Sequence, residues 1–197
     1  MRIGLDLDGC LADWNTAFAD LIIGVTGVNR FGDYLPPDQE AFHTWHWPTA
    51  YGYSVQQIEN AWKAVKQHPD FWYRLAPLPG MTALTRRLDQ LEDHDVYFIT
   101  NRMGRDVKRQ SEDWLTTREI YNPTVLITPH KGSVAAALDL DCYLDDYIGN
   151  VASVKDLSPC TRGYLLSAPW NRKQRPLGMR VVPDVETFFD LEGLNGR

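Results

Sequence analysis

The stretch Ile3-Gly4-Leu5-Asp6-Leu7-Asp8-Gly9-Cys10-Leu11-Ala12-Asp13 decides how the chain is read. Apolar residues lead into a pair of aspartates, and a glycine follows them. The pattern is that of a buried strand carrying two carboxylates at its C-terminal tip, where open α/β sheets bind ligands. Side chains alternate along a strand, so a turn must begin at Asp8 if Asp6 and Asp8 are to serve one site. Gly9 permits that turn at low steric cost. Two carboxylates at one tip repel unless a cation or a proton lies between them. The pair therefore suggests a divalent metal, with one aspartate free for covalent chemistry.

Working outward, strand-like runs recur at residues 2–6, 96–100, 124–128, 142–145 and 163–167. Helical patterns over 81–92, 106–117, 132–139 and 149–156 alternate with them. That order predicts an α/β fold, a doubly wound parallel sheet with helices on both faces. A short run at 179–182 and a helix at 184–191 close the domain. Residues 14–78 break the rhythm. Trp14, Phe18, Leu21, Ile22 and Val25 form one helical stripe, and Val55, Ile58, Trp62 and Val65 another. A Pro- and aromatic-rich connection joins them, Tyr34-Leu35-Pro36-Pro37 through Trp45-His46-Trp47-Pro48. Pro77-Leu78-Pro79-Gly80 marks the return. The expected organisation is a core of residues 1–13 and 79–197 with a helical cap, 14–78, inserted after the first strand.

A chain of 197 residues suffices for such a core. Its formal net charge of −6 argues against a nucleic-acid partner. Cys10, Cys142 and Cys160 are an odd, scattered set that suits reduced thiols. Asp6 stands too early for a signal peptide to precede it, and no apolar run is long enough to span a bilayer. The expectation is a soluble cytoplasmic protein with no membrane partner. A monomer and a homodimer both stay open.

Three more features fall at strand ends. Thr100-Asn101-Arg102 follows the second strand, Lys131 the third, and Asp145-Asp146 the fourth. One crevice can gather them all. The set suits phosphoryl transfer, because a phosphate dianion among several acids needs cations. Mg²⁺ is the natural one: it is hard, takes oxygen ligands and keeps some of its waters. Asp6 can attack phosphorus and form an aspartyl-phosphate. Asp8 can protonate the leaving alkoxide and then deprotonate a water. Thr100 offers donors to phosphate oxygens, and Lys131 a point charge. Lys131 at a helix N-terminus opposes the dipole, which favours a functional reason for it.

The ordered set Asp6-x-Asp8, Thr100, Lys131 and Asp145-Asp146 resembles the haloacid dehalogenase superfamily of Mg²⁺-dependent phosphohydrolases. Asp6-Leu7-Asp8-Gly9-Cys10-Leu11-Ala12-Asp13-Trp14 is similar to the opening of its 5'(3')-deoxyribonucleotidase family. Phe71-Trp72-Tyr73-Arg74-Leu75-Ala76-Pro77-Leu78-Pro79-Gly80 resembles that family's return from cap to core, and Leu144-Asp145-Asp146 its last acidic motif. The resemblance runs from Met1 to about Asn171 and is weak within the cap. It implies a Rossmann-like core and hydrolysis of nucleoside monophosphates, deoxyribonucleotides favoured. It implies Asp6 as nucleophile and Asp8 as acid/base, with metal held by Asp6, the Asp8 carbonyl and Asp146, and Asp145 nearby. It implies a base and sugar pocket at Trp14 and Trp62, and, more loosely, base stacking by Trp45 and Trp47.

The chain departs from that family at three substrate-facing places. Asn101-Arg102 stands where Ser-Pro is usual after the threonine, and Arg102 offers a relocated positive charge for substrate. Pro129 or His130 replaces an arginine near the lysine, and Tyr147 replaces one after the acidic pair. Plainer readings exist for several residues. Asp13 suits a first helical turn, and Trp14 and Trp62 could simply pack. His43 and His46 have no third ligand spaced to join them in a zinc site. Arg172, Lys173 and Arg175 read as a solvated basic loop. Another phosphate ester, such as a sugar phosphate, or a silent nucleotide-binding module are the rival functions.

Overall fold

A computed structural model describes residues 1–32, 38–174 and 178–194. The expected connection at Tyr34-Leu35-Pro36-Pro37, and Arg175 of the basic loop, lie outside the described residues. In chain order the elements are β1 (Arg2–Leu5), β2 (Ala12–Asp13), α1 (Trp14–Thr26), a 3-10 turn at Gln39–Ala41, α2 (Trp47–Ala50) and α3 (Val55–Gln67). There follow β3 (Ala76–Pro77), α4 (Pro79–Thr85), α5 (Leu88–Leu91), β4 (Asp95–Thr100), α6 (Val107–Thr116) and β5 (Thr124–Ile127). Then come α7 (Lys131–Ala137), β6 (Cys142–Asp145), α8 (Ile148–Leu157), β7 (Arg162–Leu166), β8 (Arg180–Val182) and α9 (Val185–Leu191).

Six strands form one sheet in the order β5-β4-β1-β6-β7-β8, and every pairing in it is parallel. Helices flank it, so the α/β, Rossmann-like architecture read from the sequence is the one observed. The chain winds from β1 outward to β5, then returns to β6 and winds the other way. The reversal leaves a crevice at the tip of β1, where ligands settle in such sheets. Ile3, Leu5, Phe98, Cys142 and Leu144 are buried along the central strands, as a sheet covered on both faces requires.

Two boundaries differ from expectation. The helix expected over 81–92 is two short helices, α4 and α5, broken at Arg86 and Arg87. The buried Arg87 guanidinium donates to Asp190 Oδ1 at 2.7 Å, to the Leu194 carbonyl at 2.6 Å and to Glu186. These bonds tie the break to α9. The strands β2 and β3 pair antiparallel, Ala12 opposite Pro77 and Asp13 opposite Ala76. They join the chain leaving the core to the chain returning.

Between β2 and β3 the described residues add no strand to the main sheet. Asp13 caps α1, its side chain accepting from Thr16 N, and α3 opens with a Ser54/Gln57 capping box. The two helices pack through Phe18, Ile22, Ala61 and Val65, all buried. The ends of the expected stripes are bare: Val25 is 44% and Val55 72% exposed. Each sits in a terminal turn.

Candidate active site

The residues singled out at the strand tips converge. The Asp6 backbone N donates to the Leu144 carbonyl, locking the end of β1 beside the end of β6. Lys131, the first residue of α7, reaches both tips: its Nζ lies 2.6 Å from Asp6 Oδ2 and 2.8 Å from Asp145 Oδ2. Gly132 lets α7 lie close against α8, since a Cβ there would stand 2.4 Å from the Ser153 carbonyl oxygen. Asp6, Lys131, Asp145 and Asp146 are all buried. Burial pushes the Asp6 carboxyl up to about 8, against the pull of Lys131. Burial likewise raises Asp146, with Asp145 and Asp6 adding to it. Burial opposes the Lys131 charge, but Asp145 and Asp6 outweigh it and hold the ammonium above its ordinary range.

One carboxylate oxygen from each of Asp6, Asp145 and Asp146 lies within 4.8 Å of the others. Their other partners separate their roles. Asp145 is saturated: Lys131, Tyr143 Oη and Asn150 donate to Oδ2, and Tyr147 N and Asn150 to Oδ1. Asp6 accepts from Leu7 N at 2.7 Å and from Lys131. Asp146 accepts from Trp170 Nε1 on Oδ2, while its buried Oδ1 has no partner. A buried anionic oxygen without a donor is costly. Three carboxylates facing one ammonium leave an excess of negative charge. The donor set therefore fits a hard divalent cation, with Asp146 Oδ1 as the open ligand. Gly9, at φ 85°, is required here twice over. Its backbone is left-handed, and a Cβ would stand 2.2 Å from Asp146 Oδ2. Burial pushes the neighbouring Cys10 thiol well up, which leaves it inert as a nucleophile.

Asp8 is oriented from the β4 side. Thr100 Oγ1 donates to its Oδ2 at 3.0 Å, and Arg102 grips both oxygens, Nε to Oδ2 at 2.9 Å and Nη2 to Oδ1 at 2.7 Å. Arg102 also donates to Ser111 Oγ and lies over the Trp72 ring. This corrects the expectation that Arg102 offers a charge to substrate. The guanidinium is buried and already paired, and it does not line the cavity.

A cavity of about 290 Å³ opens above these groups, lined by Asp6, Asp8, Thr100, Asn101 and Lys131 below. Trp14, Trp45, Trp62, Trp72 and Tyr147 make its aromatic wall. Trp14 stacks on Trp62 with centroids 5.9 Å apart, and Trp45 meets Tyr147 at 4.4 Å. Trp47 is a second correction. It is buried among Phe18, Phe31 and Phe42, and its Nε1 donates to the buried Asn15 Oδ1. The family resemblance implied base stacking by this ring, but the ring seeds the core of the helical segment instead. Trp47→Phe should cost about 1–3 kcal/mol by leaving Asn15 Oδ1 unpaired. Urea denaturation checks it, and a loss under about 0.5 kcal/mol would contradict the buried bond.

Other groups emerged only with the structure. Tyr143 and Asn150 fix Asp145, and Trp170 and Asn171 fix Asp146. Asn171 Nδ2 donates to the Asp146 carbonyl at 2.8 Å. Trp170 and Asn171 follow β7, a strand tip whose residues carry no acid or base to flag them. Arg172 pairs with Glu40 of the helical segment. His43 and His46 join no metal-binding cluster among the described residues.

No helix among the described residues is long and apolar enough to cross a membrane. The sequence matches no family model and no curated protein. Solved structures do match. A haloacid dehalogenase-like hydrolase from Burkholderia xenovorans LB400 is 15% identical with a TM-score of 0.56, over 98% of this chain and 96% of that one. A Lactobacillus plantarum protein assigned as a phosphoglycolate phosphatase is 14% identical with a TM-score of 0.52, over 98% of each chain. CbbY from Rhodobacter sphaeroides, solved with xylulose 1,5-bisphosphate, is 14% identical with a TM-score of 0.51, over 94% of each. The chain thus shares the fold of haloacid dehalogenase-like hydrolases.

Proposed function

We propose that the protein is a Mg²⁺-dependent phosphomonoesterase of the haloacid dehalogenase type that hydrolyses nucleoside monophosphates. The observation that carries the chemistry is the meeting of Asp6, Lys131 and the unpartnered Asp146 Oδ1 at one buried tip, with Asp8 clamped beside them. Asp6, Asp146 and the Asp8 carbonyl would hold the cation, which when bound neutralises charge on the carboxylates and the phosphate. An Asp6 oxygen attacks phosphorus, the O–P bond forms and the ester P–O bond breaks. Asp8 enters this step protonated, gives that proton to the departing alkoxide and is left as the carboxylate that Arg102 and Thr100 hold. Asp8 then takes a proton from water, whose oxygen displaces Asp6 and releases inorganic phosphate. Lys131 offsets the negative charge on Asp6 throughout.

The aromatic wall supports the nucleotide reading, since flat rings suit a base better than a sugar. The substrate would enter as a small molecule. A sugar phosphate is the second reading, favoured by the xylulose 1,5-bisphosphate in the CbbY structure. Phosphate release from nucleoside monophosphates and sugar phosphates, with Mg²⁺ and with chelator, tests both. Release from nucleotides that stops on chelation is expected. Turnover of sugar phosphates alone would replace the substrate, and none from any ester would sink the hydrolase reading. Trp45→Ala should raise KM for nucleotides roughly tenfold, because base stacking is worth about 1–3 kcal/mol. An equal rise for p-nitrophenyl phosphate would remove stacking as the cause.

The raised Asp6 carboxyl gives a pH dependence with a definite sign. Its folded value lies above the ordinary 3.8, so its contribution to metal-free stability is full at low pH and is lost as pH rises through about 8. Mg²⁺ binds the ionised cluster. The Mg²⁺-induced rise in Tm should therefore be larger at about pH 8.5 than at about pH 6. Thermal melts check this, and a larger rise at the lower pH would contradict it.

A further inference from the structure

We propose that Trp170 is a positioning residue that decides which divalent cation the site accepts, by holding Asp146 to a single free carboxylate oxygen. The inference rests on the metal-dependent reading above. Trp170 Nε1 lies 2.8 Å from Asp146 Oδ2, and both side chains are buried. A Cβ on Gly9 would stand 2.2 Å from the same oxygen, so the glycine is what leaves room for the Trp170 contact. Oδ1, by contrast, is buried and unpartnered. The rest of the loop leaves Asp146 little room to turn. Asn171 Nδ2 bridges the Asp146 and Leu166 carbonyls at 2.8 and 2.7 Å, and its Oδ1 accepts from Ala168 N at 3.0 Å.

The consequence follows from ion size and ligand count. Ca²⁺ prefers six to eight oxygens and readily takes both oxygens of one carboxylate. Mg²⁺ prefers near-ideal octahedral geometry, one oxygen per carboxylate and retained waters. Asp145 is saturated and Asp6 already has a donor on each oxygen. Asp146 is the member from which a second oxygen could be recruited, and the Trp170 indole N–H occupies it. Removing that N–H frees Oδ2 and lets Asp146 chelate a larger ion. Outer partners of this kind commonly tune metal affinity by about 10–100-fold.

The test titrates metal-free full-length protein with MgCl₂ and with CaCl₂ by calorimetry, in the wild type and in Trp170→Phe, which keeps an aromatic ring and loses the donor. The ratio of Mg²⁺ to Ca²⁺ affinity should fall roughly tenfold or more in the variant. A ratio unchanged within about threefold overturns the role of Trp170, while Mg²⁺-dependent phosphate release by the wild type would leave the hydrolase reading standing. Conversely, a changed ratio in a protein that releases no phosphate upholds Trp170 and sinks the hydrolase reading. Should Trp170→Phe fail to fold, the wild type carries the test through its ¹⁵N-labelled indole signals. The Trp170 N–H resonance should shift saturably with MgCl₂, and a resonance that stays still overturns the proposal.

Discussion

If Asp6 is the nucleophile proposed above, Asp6→Asn should abolish turnover and leave the fold intact. The carboxamide has nearly the shape of the carboxylate, so it can still accept from Leu7 N at the end of β1. It lacks the anionic oxygen that the proposed mechanism sends to phosphorus. Loss of a nucleophile that no neighbour can replace should lower kcat by roughly four orders of magnitude or more. Cys10 cannot substitute, because burial holds its thiol protonated. The structural cost is small. Burial disfavours a charge on Asp6 more than Lys131 favours it, with Asp145 and Asp8 adding to the cost, so a neutral side chain suits the metal-free site. The Tm of the metal-free variant should therefore equal or exceed that of the wild type. Steady-state kinetics and a thermal melt together decide the matter. Turnover within about tenfold of wild type would remove Asp6 as nucleophile, and a collapsed Tm would show that the loss was one of folding.

What could be read in the sequence follows from the range of the interactions involved. The sheet was legible because each strand is a local apolar run and each helix a local period, and because parallel winding brings all strand C-termini to one edge. Asp6, Lys131, Asp145 and Asp146 could be placed together without knowing a single distance. The strand pair β2 and β3 was not legible, being two residues long on each side and paired across 62 intervening residues. The break at Arg87 depends on an ion pair to Glu186 and Asp190 at the far end of the chain. Local periodicity carries no trace of it. Arg102 and Trp47 were misread for one shared reason. A charge or a ring near a site suggests contact with substrate, whereas an internal partner can claim it first, Asp8 in one case and Asn15 in the other. Trp170 escaped notice because a neutral indole at a strand tip has no charge to announce it. The role proposed for it exists only through the 2.8 Å contact with Asp146.

Lys131→Met is the substitution expected to damage stability most. Lys131 is the cation that the structure sets against Asp6 and Asp145, at 2.6 and 2.8 Å, with all three side chains buried at the floor of the cavity. Methionine fills nearly the same volume and carries no charge. A buried pair broken from one side costs about 3–5 kcal/mol, because the partner charge is left uncompensated. Here two carboxylates lose their counter-ion at once, and Asp146 stands beside them. The loss should depend on pH in a definite direction. At low pH the carboxyls bind protons and need no counter-ion, so the variant approaches wild type. As pH rises they ionise against one another and the difference widens. Mg²⁺ should restore part of the stability at neutral pH, since a cation held by Asp6 and Asp146 supplies the missing charge. Activity should still fall steeply, because the ammonium that offsets charge on Asp6, the proposed nucleophile, is gone and only the neutral Leu7 N–H still donates to it. Chemical denaturation at about pH 5 and about pH 8, with chelator and with Mg²⁺, separates these effects. A metal-free variant within about 0.5 kcal/mol of wild type at the higher pH would mean that Lys131 does not neutralise this cluster, and the geometry on which the site is built would fail with it.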